Sequence, residues 1–114
     1  MPYLMVQTNQ KLEGQQEQTV VAEASRLVAG QLGKPEGYVM VAVESGVAMA
    51  FAGSDAPCAY LELKSLGLPE DRTPEFSQAL CAFAREHLGV DPDRVYIEFA
   101  GPDRHMWGFK GSTF

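Results

Sequence analysis

Apolar residues recur at two different periods along the chain, and the switches between them mark out its elements. Tyr3-Leu4-Met5-Val6-Gln7-Thr8, directly behind Met1-Pro2, predicts a first strand. A polar stretch from Asn9 to Gly14 leads into a helix from about Gln15 to Leu32, with Val20, Val21, Ala24, Leu27, Val28 and Leu32 at helical spacing. Gly33 ends that helix and Pro35 prevents its resumption. Tyr38-Val39-Met40-Val41-Ala42-Val43, bounded by Ser45-Gly46, predicts the next strand, and Val47 to Phe51 a brief strand or turn.

The second half repeats the order. Cys58-Ala59-Tyr60-Leu61-Glu62-Leu63 alternates like a strand. Thr73-Pro74-Glu75 predicts a helix start with a hydroxyl cap, Pro in the first turn and a carboxylate at the positive dipole end. Phe76, Leu80, Phe83, Ala84 and Leu88 form its apolar stripe, Gly89 and Pro92 stop it, and Val95-Tyr96-Ile97-Glu98-Phe99 follows as a strand. Leu32-Gly33-Lys34-Pro35 is echoed by Leu88-Gly89-Val90-Asp91-Pro92, and Pro2-Tyr3-Leu4-Met5-Val6 by Ala59-Tyr60-Leu61-Glu62-Leu63.

These echoes predict one α/β (α+β) domain made of a duplicated β-α-β unit, with halves of about 1–56 and 57–114. Right-handed crossovers put both helices on one face of a four-stranded sheet. The other face is then bare. With apolar residues such as those of the Tyr38 to Val43 strand on it, it is expected to be covered by another subunit.

Length and charge narrow the class further. At 114 residues with 46% hydrophobic content, there is enough apolar material for one core. Nine basic against fifteen acidic residues leave a net charge of -6, and the basic ones are scattered. Nucleic acid is therefore an unfavourable partner, since phosphate backbones require a concentrated basic face. Cys58 and Cys81 do not make a disulfide framework and read as reduced thiols. No signal-peptide pattern and no apolar run of membrane-spanning length is visible, so a cytoplasmic protein without membrane partners is expected.

Pro2 carries the first chemical signal. Removal of Met1 leaves its nitrogen as a free secondary amine, held in place by the strand behind it. An ordinary α-amino group has a pKa of roughly 8. Burial and a nearby cation both disfavour the ammonium form, and the resulting base suits proton abstraction beside a carbonyl. The same residue also suits the start of a strand, where no ladder N–H is needed. From Pro2 alone the strand-start reading is the one favoured.

A longer pattern bears on that choice. It comprises Pro2 opening the first strand, Thr8-Asn9, Leu32-Gly33-Lys34-Pro35, Tyr38, Met49-Ala50-Phe51, Gly53-Ser54, Pro57-Cys58-Ala59, Ser65-Leu66-Gly67, Pro92-Asp93-Arg94-Val95-Tyr96-Ile97 and Ser112-Thr113-Phe114. In order and spacing it resembles the macrophage migration inhibitory factor family of the tautomerase superfamily, over essentially the whole chain. The resemblance implies a homotrimer whose active sites lie between subunits. It implies a cofactor-free, metal-free keto–enol tautomerase of phenylpyruvate type, acting on a small aromatic keto/enol acid, with Pro2 as the acid/base.

Carried over, Lys34 binds the substrate carboxylate and keeps Pro2 neutral, although a solvated lysine behind a helix C-terminus is favourable by itself. Ser65 and Leu66 match a loop whose backbone N–H groups reach the carboxylate. Tyr96 matches a tyrosine from the adjacent subunit, and is equally readable as an ordinary strand aromatic. Tyr3, Tyr38, Trp107, Phe109 and Phe114 supply apolar or aromatic walls. Glu98 stands where the best-known animal member has an asparagine, which alters the substrate range. That member's Cys-Ala-x-Cys is here Cys58-Ala59-Tyr60-Leu61, so dithiol exchange chemistry is unsupported. Leu12 and Gly46 replace charged residues linked with receptor binding, which weakens a cytokine-like role. Two alternatives remain: a binding or signalling protein with residual activity, and a hydratase or dehalogenase of the same superfamily.

Overall fold

The computed structural model describes residues 1–114. Its elements are β1 (Pro2–Thr8), α1 (Gln15–Leu32), β2 (Met40–Glu44), β3 (Ala59–Ser65), α2 (Thr73–Leu88), β4 (Val95–Ala100) and a C-terminal hairpin of β5 (Gly108–Phe109) and β6 (Ser112–Thr113). The main sheet has the order β2-β1-β3-β4. β1 and β2 are parallel, β3 and β4 are parallel, and β1 runs antiparallel to β3 at the centre. Two β-α-β units thus meet along β1 and β3.

Alternate residues of β1 and β3 are buried, as one covered face requires. Leu4, Val6, Leu61 and Leu63 pack against Val20, Ala24 and Val28 of α1 and against Phe76, Leu80 and Phe83 of α2 in one core. Both helices therefore lie on the same face. Phe76 is almost fully buried and its ring lies 6.4 Å from that of Phe99. Truncation to alanine leaves a ring-sized cavity, so Phe76→Ala is expected to cost about 3–5 kcal/mol, read as a fall in the urea midpoint at unchanged slope. A midpoint within error of the parent would contradict this packing.

Both helices end on a left-handed glycine. Gly33 adopts φ 63°, and the N–H of Lys34 then returns to the carbonyl of Ala29 at 3.0 Å. Gly89 adopts φ 68°, and the N–H of Val90 returns to Ala84 at 3.3 Å. The first is a Schellman-type closure and the second a wider turn one residue longer, and in both the left-handed residue is best a glycine. The first of them sets the direction in which Lys34 leaves the helix.

Several elements differ from expectation. β3 runs from Ala59 to Ser65 rather than from Cys58 to Leu63, while the first strand opens at Pro2 as expected. Tyr38 is not in β2: Pro35 starts a 3₁₀ turn over Glu36–Tyr38, in which the Tyr38 N–H bonds the Pro35 carbonyl at 3.1 Å. Val47 to Phe51 forms no strand beyond a single bridge between Phe51 and Ser54. Thr73 is not a hydroxyl cap. A preceding 3₁₀ turn, Glu70–Arg72, runs into the helix, and the Thr73 hydroxyl donates backward to the Glu70 carbonyl at 3.3 Å. Val21 and Leu27 are only half-buried.

The bare face also needs correcting. Val41 and Val43 pack toward the helices, which leaves Met40, Ala42 and Glu44 outward on β2. Gln7, Tyr60, Glu62, Lys64 and Glu98 share that outer face by strand alternation. With Tyr3, Met5 and Tyr96 beside them, it is a mixed surface of apolar, aromatic and charged side chains rather than a continuous apolar one.

Candidate active site

Pro2 is the first residue of a central strand, directly opposite Ser65 of β3, and its ring is fully buried. A strand's first residue can lack an N–H donor without breaking the ladder, so proline fits here. Beside it opens a cleft of about 620 Å³ lined by Met1, Pro2, Tyr3, Tyr38, Trp107 and Phe109 among others. Tyr38 reaches the cleft because the 3₁₀ turn lifts it out of the sheet, leaving it 53% exposed. Trp107 and Phe109 come from the far end of the chain. The Phe114 N–H bonds the Trp107 carbonyl at 3.2 Å and closes the hairpin there.

Lys34 approaches from the other side. Its Nζ donates to the Leu66 carbonyl at 2.8 Å, and the buried Ser65 hydroxyl donates to the same oxygen at 3.1 Å. The structure thus brings Pro2, Lys34, Ser65 and Leu66 together at one end of β1 and β3. Burial, followed by the charge of Lys34, holds the terminal amine on Met1 below its ordinary pKa of 8.0. The Pro2 nitrogen lies one residue deeper, on a residue sealed from solvent.

Phe114 backs the cleft rather than walling it: its ring is stacked on that of Phe109, with centroids 5.9 Å apart at 6°. Tyr96 and Glu98 lie elsewhere in the chain. Tyr96 is level with Tyr60 and Gln7, five residues beyond Pro2 and therefore about 17 Å along the strands. It is 66% exposed and packs on Phe51, with ring centroids 4.8 Å apart. Beside it lies a second pocket of about 320 Å³, lined by residues such as Met49, Phe51, Cys58 and Tyr60.

Glu98 is level with Glu62 and Met5, three residues along and about 10 Å from the Pro2 end. The Tyr60 hydroxyl lies 3.1 Å from Glu62 and 3.3 Å from Glu98, and its single proton serves whichever carboxylate it faces. Partial burial, the bond to Glu62 and the charge of both carboxylates push the Tyr60 phenol up to about 12. Lys64 lies 3.8 Å from the other Glu62 oxygen.

Sequence reasoning missed Met40 and Met106, which also line the Pro2 cleft. Strand alternation started at Met40 would have put that side chain outward beside Tyr3. The Tyr60–Glu62–Glu98 cluster joins two strands, and no local pattern announces it. No three His, Cys, Asp or Glu side chains gather in a geometry that could hold a metal ion. Cys58 and Cys81 are both free thiols.

A mixed four-stranded sheet of two β-α-β units, with a buried proline at the head of its central strand and a cleft around it, defines a tautomerase-superfamily fold. Comparisons with known proteins carry this to the family. The family profile described as Macrophage migration inhibitory factor (MIF) matches residues 1–114. A macrophage migration inhibitory factor homolog of Brugia malayi is 36% identical over 115 residues, covering 100% of this chain and 99% of that one. The macrophage migration inhibitory factor of Mus musculus is 33% identical with the same coverage. The crystal structure of the Prochlorococcus marinus homologue superposes with a TM-score of 0.91 at 37% identity, covering 98% of each chain. The chain belongs to the macrophage migration inhibitory factor family. No helix is long and apolar enough to cross a membrane.

Proposed function

We propose that the chain is a cofactor-free keto–enol tautomerase of phenylpyruvate-like aromatic α-keto acids, with the Pro2 nitrogen as general acid/base once Met1 is removed. The neutral amine takes a proton from the carbon beside the substrate carbonyl, and electron density moves onto the carbonyl oxygen. The prolinium then gives the proton to that oxygen, completing the enol; ketonisation runs the same steps backward. No redox partner is needed, because only a proton changes place.

Lys34 has three N–H donors. One holds the Leu66 carbonyl, and the others are free to pair with the substrate carboxylate. Backbone N–H groups of Ser65 and Leu66 take part in the same recognition. Tyr3, Tyr38, Trp107 and Phe109 give the substrate ring an apolar bed, with Phe114 behind them. Tyr96 and Glu98 act from a neighbouring subunit of a homotrimer, where Glu98 faces the distal end of the substrate ring. A phenol or other donor at that end suits the carboxylate better than a second anion.

The observation that carries this reading is the buried Pro2, beside a Met1 amine that burial and Lys34 hold below its ordinary pKa. It is tested by ketonisation of the phenylpyruvate enol, followed by absorbance, on protein whose N-terminus is verified by mass spectrometry. Turnover that titrates with an amine of depressed pKa supports the assignment. Absence of turnover from protein with a free Pro2 removes phenylpyruvate-like acids as substrates.

A further inference from the structure

We infer that Arg94 is a positioning residue for the distal wall of the site: its guanidinium fixes the 51–57 loop, and through Phe51 it fixes the ring of Tyr96. This rests on the reading that Tyr96 lines the cleft of a neighbouring subunit.

Arg94 closes the short 3₁₀ turn Pro92–Arg94, where its N–H bonds the Asp91 carbonyl at 2.8 Å. Its guanidinium pairs with no carboxylate. Nε donates to the Pro57 carbonyl at 2.9 Å, and Nη2 donates to the carbonyls of Ser54 and Ala56, both at 3.1 Å. A planar fork spread over three backbone oxygens sets the path of a loop that has no strand or helix of its own.

The loop needs such a clamp. Ala52 sits at φ 54°, in the left-handed region that an L side chain enters only at a cost. That residue lies inside the tight turn in which Phe51 and Ser54 exchange backbone bonds of 2.9 and 3.1 Å. Asn9 grips the other flank, donating to the carbonyls of Asp55 and Ala56 and accepting from the Cys58 N–H.

The clamp ends on an aromatic pair. The Arg94 guanidinium carbon lies 5.2 Å from the centroid of Phe51, within cation–π range. Phe51 in turn lies 4.8 Å from Tyr96 at 59°, a tilted aromatic contact. Tyr96 is on the edge strand and mostly exposed, so an unsupported ring there would sample several rotamers. Arg94 and Phe51 select one. Because Nε and Nη2 are committed to backbone oxygens, the effect of Arg94 on substrate is carried by Tyr96 rather than by direct contact.

The test compares Arg94→Lys, Arg94→Ala and Phe51→Leu in the parent and in the Tyr96→Ala background. The readouts are kcat, KM and pH profile with the phenylpyruvate enol. The Tyr96 ring is followed by fluorine NMR on 3-fluorotyrosine-labelled protein, its signal assigned by Tyr96→Phe. Arg94→Lys is expected to shift or broaden the Tyr96 signal and raise KM roughly threefold to tenfold, with kcat and the pH profile unmoved. The KM effect should vanish when Tyr96 is already alanine. Phe51→Leu, which keeps the loop bonds, should reproduce it even where Arg94→Ala fails to fold.

A Tyr96 signal and KM untouched by Arg94→Lys and Phe51→Leu, with Tyr96→Ala still raising KM, overturn the inference and leave the proposed function standing. A KM increase that persists in the Tyr96→Ala background also overturns it. If Tyr96→Ala itself leaves KM unchanged, the placement of Tyr96 at the site falls, and the inference falls with it.

Discussion

Protein in which the Pro2 nitrogen is acylated is expected to lose turnover of the phenylpyruvate enol by roughly 10²–10⁴-fold, the usual range for removing a general acid/base. Inserting an alanine between Met1 and Pro2 achieves this, because processing then exposes alanine and leaves Pro2 inside an amide. An amide nitrogen has no basicity to lend. The fold is not put at risk, since the structure already carries a residue ahead of Pro2 with β1 fully paired to β3. Pro2→Gly should fall between the two proteins: it keeps a free amine, but loses the ring that limits backbone freedom at the strand's first position. The order of kcat/KM is then parent, Pro2→Gly, alanine insertion, each with its N-terminus verified by mass spectrometry. Turnover by the insertion variant at the parental rate would remove Pro2 from the chemistry altogether.

How much of this was legible in the sequence depends on how far apart the interacting residues lie. The first helix reads correctly from Gln15 to Leu32 because its stop is local: a glycine that takes the left-handed turn, then a proline two residues on. Tyr38 reads wrongly because its strand propensity competes with the Pro35-Glu36-Gly37 turn before it, and the turn wins. Val39, Val41 and Val43 turn to the core while Met40 and Ala42 face outward, so only part of the strand's apolar content lies on the bare face. Thr73 reads wrongly for a similar reason, since a 3₁₀ turn runs into the helix and moves the cap one residue earlier.

The site divides along the same line. Pro2 and Lys34 stand out because each follows a marker: the chain start for one, and the Gly33 turn for the other. The family pattern then ties them together. Arg94 carried no role in the sequence reading beyond its place in the Pro92–Ile97 run, because its partners Ser54, Ala56 and Pro57 are 37 to 40 residues away. Those partners are backbone oxygens, and every residue has one. Tyr60, Glu62 and Glu98 meet only through the register of β3 with β4. An alternating pattern names the face a residue occupies, but not its neighbour across the ladder.

Lys34 separates two effects that a single substitution would otherwise mix. Lys34→Gln removes the charge, and two changes are expected. KM should rise about tenfold to a hundredfold, the scale of one hydrogen bond to a charged group. The acid limb of kcat/KM should also move to higher pH. The sign follows from the base being the neutral amine. The amine on Met1 is held down first by burial and then by Lys34; a freed Pro2 amine in the same surroundings is expected to be lowered in the same sense, so activity falls as pH drops through that lowered value. Without Lys34 the ammonium form is less disfavoured, the amine holds its proton to higher pH, and the fall begins sooner. Burial remains, so the limb moves only part of the way toward an ordinary amine.

Lys34→Arg distinguishes the two contributions. It keeps the charge and should leave the acid limb near its parental place, while its planar head disturbs the bond to the Leu66 carbonyl and raises KM. If Lys34 were only a solvated lysine favoured by the end of α1, both variants would titrate like the parent with unchanged KM. The pH profile, rather than the loss of rate, therefore decides whether this lysine tunes the amine.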